Sequence, residues 1–225
     1  SFYLQNVYYL QRSCDDLEIV ETKLKNKPSF LNDDTALVYI GSTTEKGLSL
    51  AYESLLPYKD DICKKIDEGQ LMLATGNALD IFGNYIQIDE ETKINGLGII
   101  STYAKYNMLL RHNSFFVGDF NDDRNEKIKI VGFKSLFGHT YPTDKNINPL
   151  FITTKGTGQN PFLKNEGFRK KNFLLTHLIG PIIILNPLFA KYLLRSMNAK
   201  NDTLAFEEAA FKSYSVRLKE FNEPN

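Results

Sequence analysis

Two short runs, "TALVYIG" at 35–41 and "LMLAT" at 71–75, are apolar almost without interruption, and the second breaks at once into "GNALDIFGN". A run of this kind suits a strand buried on both faces, as strands in parallel sheets are. Between the two lie apolar residues at helical spacing: Leu48, Tyr52 and Leu55, then Ile62 and Ile66 beyond Pro57, with Gly69 to close the second helix. Strand, helix and strand with short connections predict a parallel pair joined by a right-handed crossover. The chain is therefore expected to be α/β.

The flanking sequence fills in the rest. Tyr3, Val7, Leu10 and Cys14 predict a first helix over 3–13, and "LEIVETKL" (17–24) predicts a short strand. After Gly83 the texture changes to short alternating segments separated by Asn, Asp and Gly: "NYIQI", "GLGIISTYA", "SFFVGDF" and "EKIKIVGF". These predict antiparallel strands, and "NPLFITTKG" (148–156) and "FRKKNFLLTHLI" (168–179) continue the set. In "NPLFAKYLLRSM" (186–197), Asn186 suits a helix cap and Pro187 its first turn. Phe206, Ala210, Tyr214 and Leu218 predict a final amphipathic helix. No repeat or flexible linker divides residues 1–225, so a single domain is expected.

Lys+Arg and Asp+Glu balance at 27 each, which gives no global pull toward nucleic acid or anionic lipid. Cys14 and Cys63 are too few and too far apart for a disulfide framework. His112, His139 and His177, with no Cys-x-x-Cys spacing, argue against a zinc site, and neither a metal nor a cofactor is expected. The longest apolar run, "LIGPIIIL" (178–185), is broken by Gly180-Pro181 and falls short of the ~20 residues that span a bilayer. A cytoplasmic protein without membrane insertion is the expectation.

Four places invite chemistry, each with a plainer alternative. At Thr75-Gly76-Asn77, a strand-to-helix turn beyond the carboxyl end of a parallel strand is where ligands bind and where a nucleophile elbow exposes its apex. Gly76 suits the strained turn but carries no side chain; an ordinary turn glycine is the alternative. "YIGST" (39–43) ends another such strand, and its N–H groups suit an anion, although Ser42 and Thr43 also suit helix capping. His177, on a strand, is a candidate base or a packed core residue. His139, in what reads as a loop after a strand, is a candidate carboxylate holder or a solvated histidine. Cys63 lies in a helix interior remote from the strand tips, and no Ser, Cys or Thr stands beside a base as nucleophilic catalysis requires.

Taken together, "LMLATGNALDIFGNYI", "INGLGII", "IVGFKSLFGHTY", "NEGFRKKNFLLTHLIGP" and "NPLFAKYLL" resemble, in that order, the class I glutamine amidotransferase domains of the cobyric-acid-synthase type. Within that family the likeness is nearest to the glutaminase subunits of lipid II isoglutaminyl synthases, which serve peptidoglycan. It runs from about Val7 to Leu194. The resemblance implies a three-layer, flavodoxin-like class I glutamine amidotransferase fold, a mostly parallel sheet with antiparallel additions. It also implies that a first strand, which the family places before its first helix, is missing from this chain.

The family's elbow reads like "ILAICGGYQLLG" and its later strand like "GTYLHGPLLPKNPELADWL". On that alignment the cysteine nucleophile falls on Gly76 and the catalytic histidine on Ile179. The oxyanion-hole neighbour falls on Asn77, the glycine-rich oxyanion loop on Gly41-Ser42-Thr43, and a substrate-gripping arginine on His139. His177 takes the family's tyrosine position. With nucleophile and base both replaced, the resemblance implies a pseudoenzyme: a pseudo-glutaminase without catalytic residues, partnered by a Mur-ligase-like ATP-dependent amide synthase that it binds or regulates. Two alternatives stay open. One is a protein that binds glutamine, glutamate or a related small acid through Gly41, Ser42, Asn77 and His139. The other is an active amidotransferase with an unrecognised nucleophile such as Thr75.

Overall fold

The computed structural model describes residues 4–32, 34–124 and 126–223. Its centre is a four-stranded sheet of β1 (Val38–Ile40), β2 (Met72–Thr75), β12 (Phe173–Thr176) and β11 (Phe168–Lys170), in the order β1-β2-β12-β11. β1 and β12 both run parallel to β2, with Ile40 opposite Ala74 and Thr176 opposite Thr75. β11 is an antiparallel edge.

Side-chain alternation along these strands splits the interior into two cores. Leu73 and Leu174 point into one, with Leu10 of α1 (Gln5–Ser13), Ile182 and Ile183 of α5 (Ile182–Leu185), and Phe189 and Leu193 of α6 (Pro187–Ser196). Met72, Ala74, Phe173 and Leu175 point into the other. There they meet Leu48 of α2 (Glu45–Leu55), Ile62 and Ile66 of α3 (Lys59–Asp67), and Leu79 and Ile81 of α4 (Ala78–Ile81). Each such side chain contributes about 1.5–3 kcal/mol by leaving water. This is the three-layer α/β arrangement expected.

The antiparallel additions form two further sheets. One joins β10 (Asn165–Glu166), β9 (Phe151–Lys155), β6 (His112–Asn121) and β7 (Lys127–Leu136), all antiparallel. The other joins β4 (Lys93–Asn95), β3 (Tyr85–Gln87), β5 (Thr102–Tyr106) and β8 (Gly138–Pro142), where only β3 and β5 are parallel. A last helix, α7 (Glu207–Asn222), docks through the Tyr214 hydroxyl, which donates to the Lys129 carbonyl at 2.8 Å. Among the described residues, no helix is long and apolar enough to cross a membrane.

Several expectations are corrected. Residues 17–24 form no strand: among the described residues β1 pairs only with β2, and without a ladder Val20 and Leu24 stay 65% and 55% exposed. Tyr3 lies outside the described residues, and the first helix starts at Gln5. The 168–179 segment is a hairpin whose second strand joins the central parallel sheet, and His177 lies just beyond that strand. Asn186 makes no side-chain cap; its amide instead takes the Val131 N–H (2.8 Å) and donates to the Val131 and Ile182 carbonyls (both 2.8 Å), pinning α6 to β7. Phe206 precedes α7 in a left-handed conformation (φ 53°) and is exposed, so the helix buries only Tyr214.

Candidate functional site

The turn after β2 has the geometry of an elbow. Gly76 has φ +63°, a conformation that glycine adopts at little cost and other residues resist. It stands at the carboxyl end of the central parallel strand, buried, with α4 starting two residues later. A Cβ placed on it would lie 2.5 Å from Ser42 Oγ, 2.6 Å from Ser42 Cβ and 2.9 Å from Ile179 Cγ2. The space a side chain would need is therefore already filled.

The structure thus brings Ile179, some hundred residues on in sequence, and Ser42 of the loop after β1 up against Gly76. Ile179 is fixed by its N–H, which donates to the Phe133 carbonyl at 2.8 Å as an isolated bridge to β7. The Gly41-Ser42-Thr43 loop is tied to the elbow by Asn77. Its Oδ1 accepts the Thr43 N–H (3.0 Å), and its Nδ2 donates to the Thr43 carbonyl (2.8 Å). Helix capping falls to Thr44, whose hydroxyl accepts the Gly47 N–H at 3.1 Å. Ser42 caps nothing, and its buried hydroxyl has no hydrogen-bond partner among the described residues. The Thr43 N–H, one of the loop donors expected to meet a ligand, is spent on the Asn77 side chain.

His139 sits elsewhere in the arrangement. It belongs to β8, not to a loop, and opposes Lys105 of β5. Its ring packs on that of His112 at 4.3 Å between centroids. Half-burial, with the charges of His112, His177 and Lys134 adding to it, pushes its pKa down to about 4. At neutral pH it is an uncharged imidazole, able to donate one N–H to a carboxylate but supplying no cationic attraction. No hydrogen bond among the described residues joins it to Gly41, Ser42 or Asn77.

Beneath the elbow lies a buried polar network that sequence reasoning missed. Asp80 of α4 accepts from the Tyr106 hydroxyl (2.7 Å) and the Thr140 hydroxyl (2.6 Å). Thr140, having donated its proton, can accept from His177 Nε2 at 3.0 Å, and Asp80 Oδ1 lies 3.3 Å from the same nitrogen. Glu166 of β10 accepts from Lys134 Nζ (2.9 Å), the Thr176 hydroxyl (2.9 Å) and the His177 N–H (2.8 Å). Lys134 also donates to the Gly158 carbonyl.

Burial alone would raise the Glu166 pKa, but the charges of Lys134 and His177 overcome it and hold the carboxyl below its ordinary value. Burial and the Asp80 charge push the Tyr106 phenol well above its ordinary range, so it remains a donor. The candidate base His177 is thus a 1%-exposed member of this network. The only sequence signal was a scatter of polar residues within apolar segments (Asp80, Lys134, Glu166, Thr176), whose partners lie up to 97 residues away.

Thr75, the other candidate nucleophile, is 2% exposed, and its hydroxyl pairs with the Tyr39 phenol at 3.0 Å. That phenol accepts in turn from Asn6 Nδ2 at 2.9 Å. Cys63, on α3, is half-buried. Among the described residues, no group of three or more His, Cys, Asp or Glu side chains could hold a metal.

This site can be set beside known proteins. No family model matches the chain. It is 30% identical over 164 residues to the lipid II isoglutaminyl synthase (glutamine-hydrolyzing) subunit GatD of Staphylococcus aureus (strain N315), covering 72% of this chain and 63% of that protein. The chain is glutamine-amidotransferase-like. To GatD of Streptococcus pneumoniae (strain R6) it is 27% identical over 153 residues, covering 67% of this chain and 56% of that protein. The chain thus spans less than two thirds of these GatD relatives. Among solved structures, a glutamine amidotransferase superposes with a TM-score of 0.48 at 14% identity, over 73% of this chain and 80% of that one. PurLQS from Thermotoga maritima gives 0.48 at 12%, over 83% and 81%.

Proposed function

We propose that this chain is a pseudo-glutaminase: a GatD-like scaffold that hydrolyses no glutamine and acts by binding and regulating a Mur-ligase-like, ATP-dependent amide synthase. One observation carries the first half. The elbow apex is a glycine at φ +63° whose side-chain space is taken by Ser42 and Ile179. Nucleophile and base act as a unit, so losing both removes the covalent route, and backbone donors alone leave only residual catalysis. The second half rests on the GatD relatives, which are named as subunits of a glutamine-hydrolysing lipid II isoglutaminyl synthase. The same relationship supports reading its role as a cytoplasmic one beside peptidoglycan synthesis.

Where the partner sits is suggested by exposed aromatics that α1 and the start of α7 bring together. Tyr8 of α1 and Phe206 before α7, 49% and 66% exposed, line one open cleft of about 740 Å³, where the Arg12 guanidinium stacks 5.3 Å from the Phe206 ring centroid. Tyr, Phe and Arg are the side chains in which interface cores are enriched.

The test is ammonia release from glutamine by the purified chain, alone and with a Mur-ligase-like synthase. No turnover above a heat-killed control is expected in either case. Turnover that Asn77→Ala abolishes would overturn the proposal.

A further inference from the structure

We infer that the elbow is held shut by an internal clamp: Asn77 grips the loop after β1, and Ser42 fills the place of a side chain at residue 76. The inference rests on reading the elbow as inactive and says what has become of its cleft. Three observations meet at this point. Asn77 takes both backbone groups of Thr43, the N–H at 3.0 Å and the carbonyl at 2.8 Å, and is itself 9% exposed. Ser42, one residue back, has its Oγ 2.5 Å from where a Cβ on Gly76 would stand. That hydroxyl is buried without a hydrogen bond among the described residues, an arrangement that proteins avoid unless neighbouring contacts enforce it.

The parts depend on one another. Any residue but glycine at 76 would push Ser42 away, because two heavy atoms cannot remain 2.5–2.6 Å apart without a bond. Asn77 then has no loop to grip. Conversely, the grip on Thr43 brings Ser42 down, and the chain has little slack, since Thr44 is already the cap of α2. On the other side the elbow helix is anchored through Asp80 to Tyr106 and Thr140, so the loop must come to the elbow and not the reverse. Residue 42 therefore decides whether position 76 can carry a side chain at all.

A double-mutant cycle tests the contact. Gly76→Ala is made in the wild type and in Ser42→Gly, and the unfolding equilibrium constant is measured in denaturant. The cost of a non-glycine residue at positive φ and the contact with Ile179 are common to both backgrounds and cancel. Gly76→Ala is expected to raise the unfolding constant at least tenfold more in the wild type than in Ser42→Gly. Equal factors in the two backgrounds overturn the inference.

Should neither alanine variant fold, Asn77→Ala decides. Amide exchange at Thr43 is expected to quicken at least tenfold while the circular dichroism of the fold is kept, and unchanged protection at Thr43 overturns the clamp. Glutamine turnover by the wild type is a separate measurement. It would sink the pseudo-glutaminase reading, whereas equal factors in the cycle would sink the clamp alone.

Discussion

Lys134→Met probes the network under the elbow most directly. Lys134 and Glu166 have side chains 4% and 0% exposed, with Nζ and Oε2 2.9 Å apart. Taking both charges out of water costs several kcal/mol per ion, which their mutual attraction repays only while both are present. Methionine keeps the aliphatic stem and deletes the charge, leaving Glu166 with two hydrogen-bond donors, the Thr176 hydroxyl and the His177 N–H, but no ammonium partner. Breaking a buried pair in this way costs about 3–5 kcal/mol. That is a large part of the 5–15 kcal/mol that usually separates folded from unfolded. For a chain of this size it corresponds to a fall in Tm of about 6–20 °C.

The pH dependence carries its own sign. Glu166 is held below its ordinary carboxyl value of 4.5 in the folded protein, with Lys134 overcoming burial. The unfolded chain therefore takes up its proton first on acidification. The contribution is complete above about 4.5 and is lost as pH falls through the folded value. In Lys134→Met burial is opposed only by His177 and the Thr176 hydroxyl, so the carboxyl protonates more readily, and the deficit against wild type should be largest at neutral pH and shrink on acidification. Adding Glu166→Gln, which removes the stranded charge but keeps an acceptor for Thr176 and His177, should return at least about 1.5 kcal/mol. Urea denaturation at a series of pH values provides the assay. A Lys134→Met protein within about 0.5 kcal/mol of wild type at pH 7 would refute the reasoning, since that is the scale of an ordinary surface substitution.

Two further outcomes are expected. Asn186→Leu strands the N–H and carbonyl of Val131 in the interior, and should cost about 2–4 kcal/mol in the same assay; a loss below about 1 kcal/mol would mean that α6 is not pinned to β7 by that amide. His139 should titrate by NMR near pH 4, so that stability falls as pH drops from about 6.5 toward that value, the unfolded chain binding the proton that the folded one refuses. His112→Ala should move the midpoint upward, and a wild-type midpoint at 6 or above would contradict the half-buried pairing.

Much of the frame was legible because it depends on local pattern. The apolar runs at 35–41 and 71–75, the Pro57 break and the Gly69 stop each fix an element from within about ten residues of chain, and each element stands where it was expected. The segment at 17–24 has the composition of a strand yet forms none, since a strand exists only in a ladder and its partner is not given by its own residues. His139 was misread as a loop residue because Gly138 looks like punctuation, whereas pairing with β5 carries the strand through it.

From the sequence alone came the α/β class, the strand–helix–strand unit from β1 to β2, and a glycine where a strand-to-helix turn would present a side chain. Those follow from spacing and from the bare fact that glycine has no Cβ. Only the tertiary structure could decide that Ser42 and Ile179 close over that glycine, that Asn77 spends its amide on Thr43, and that His177 is enclosed by Asp80, Thr140 and Glu166. The reason is distance along the chain: contacts between residues tens to a hundred positions apart are set by how whole strands and helices pack, and no local periodicity encodes them.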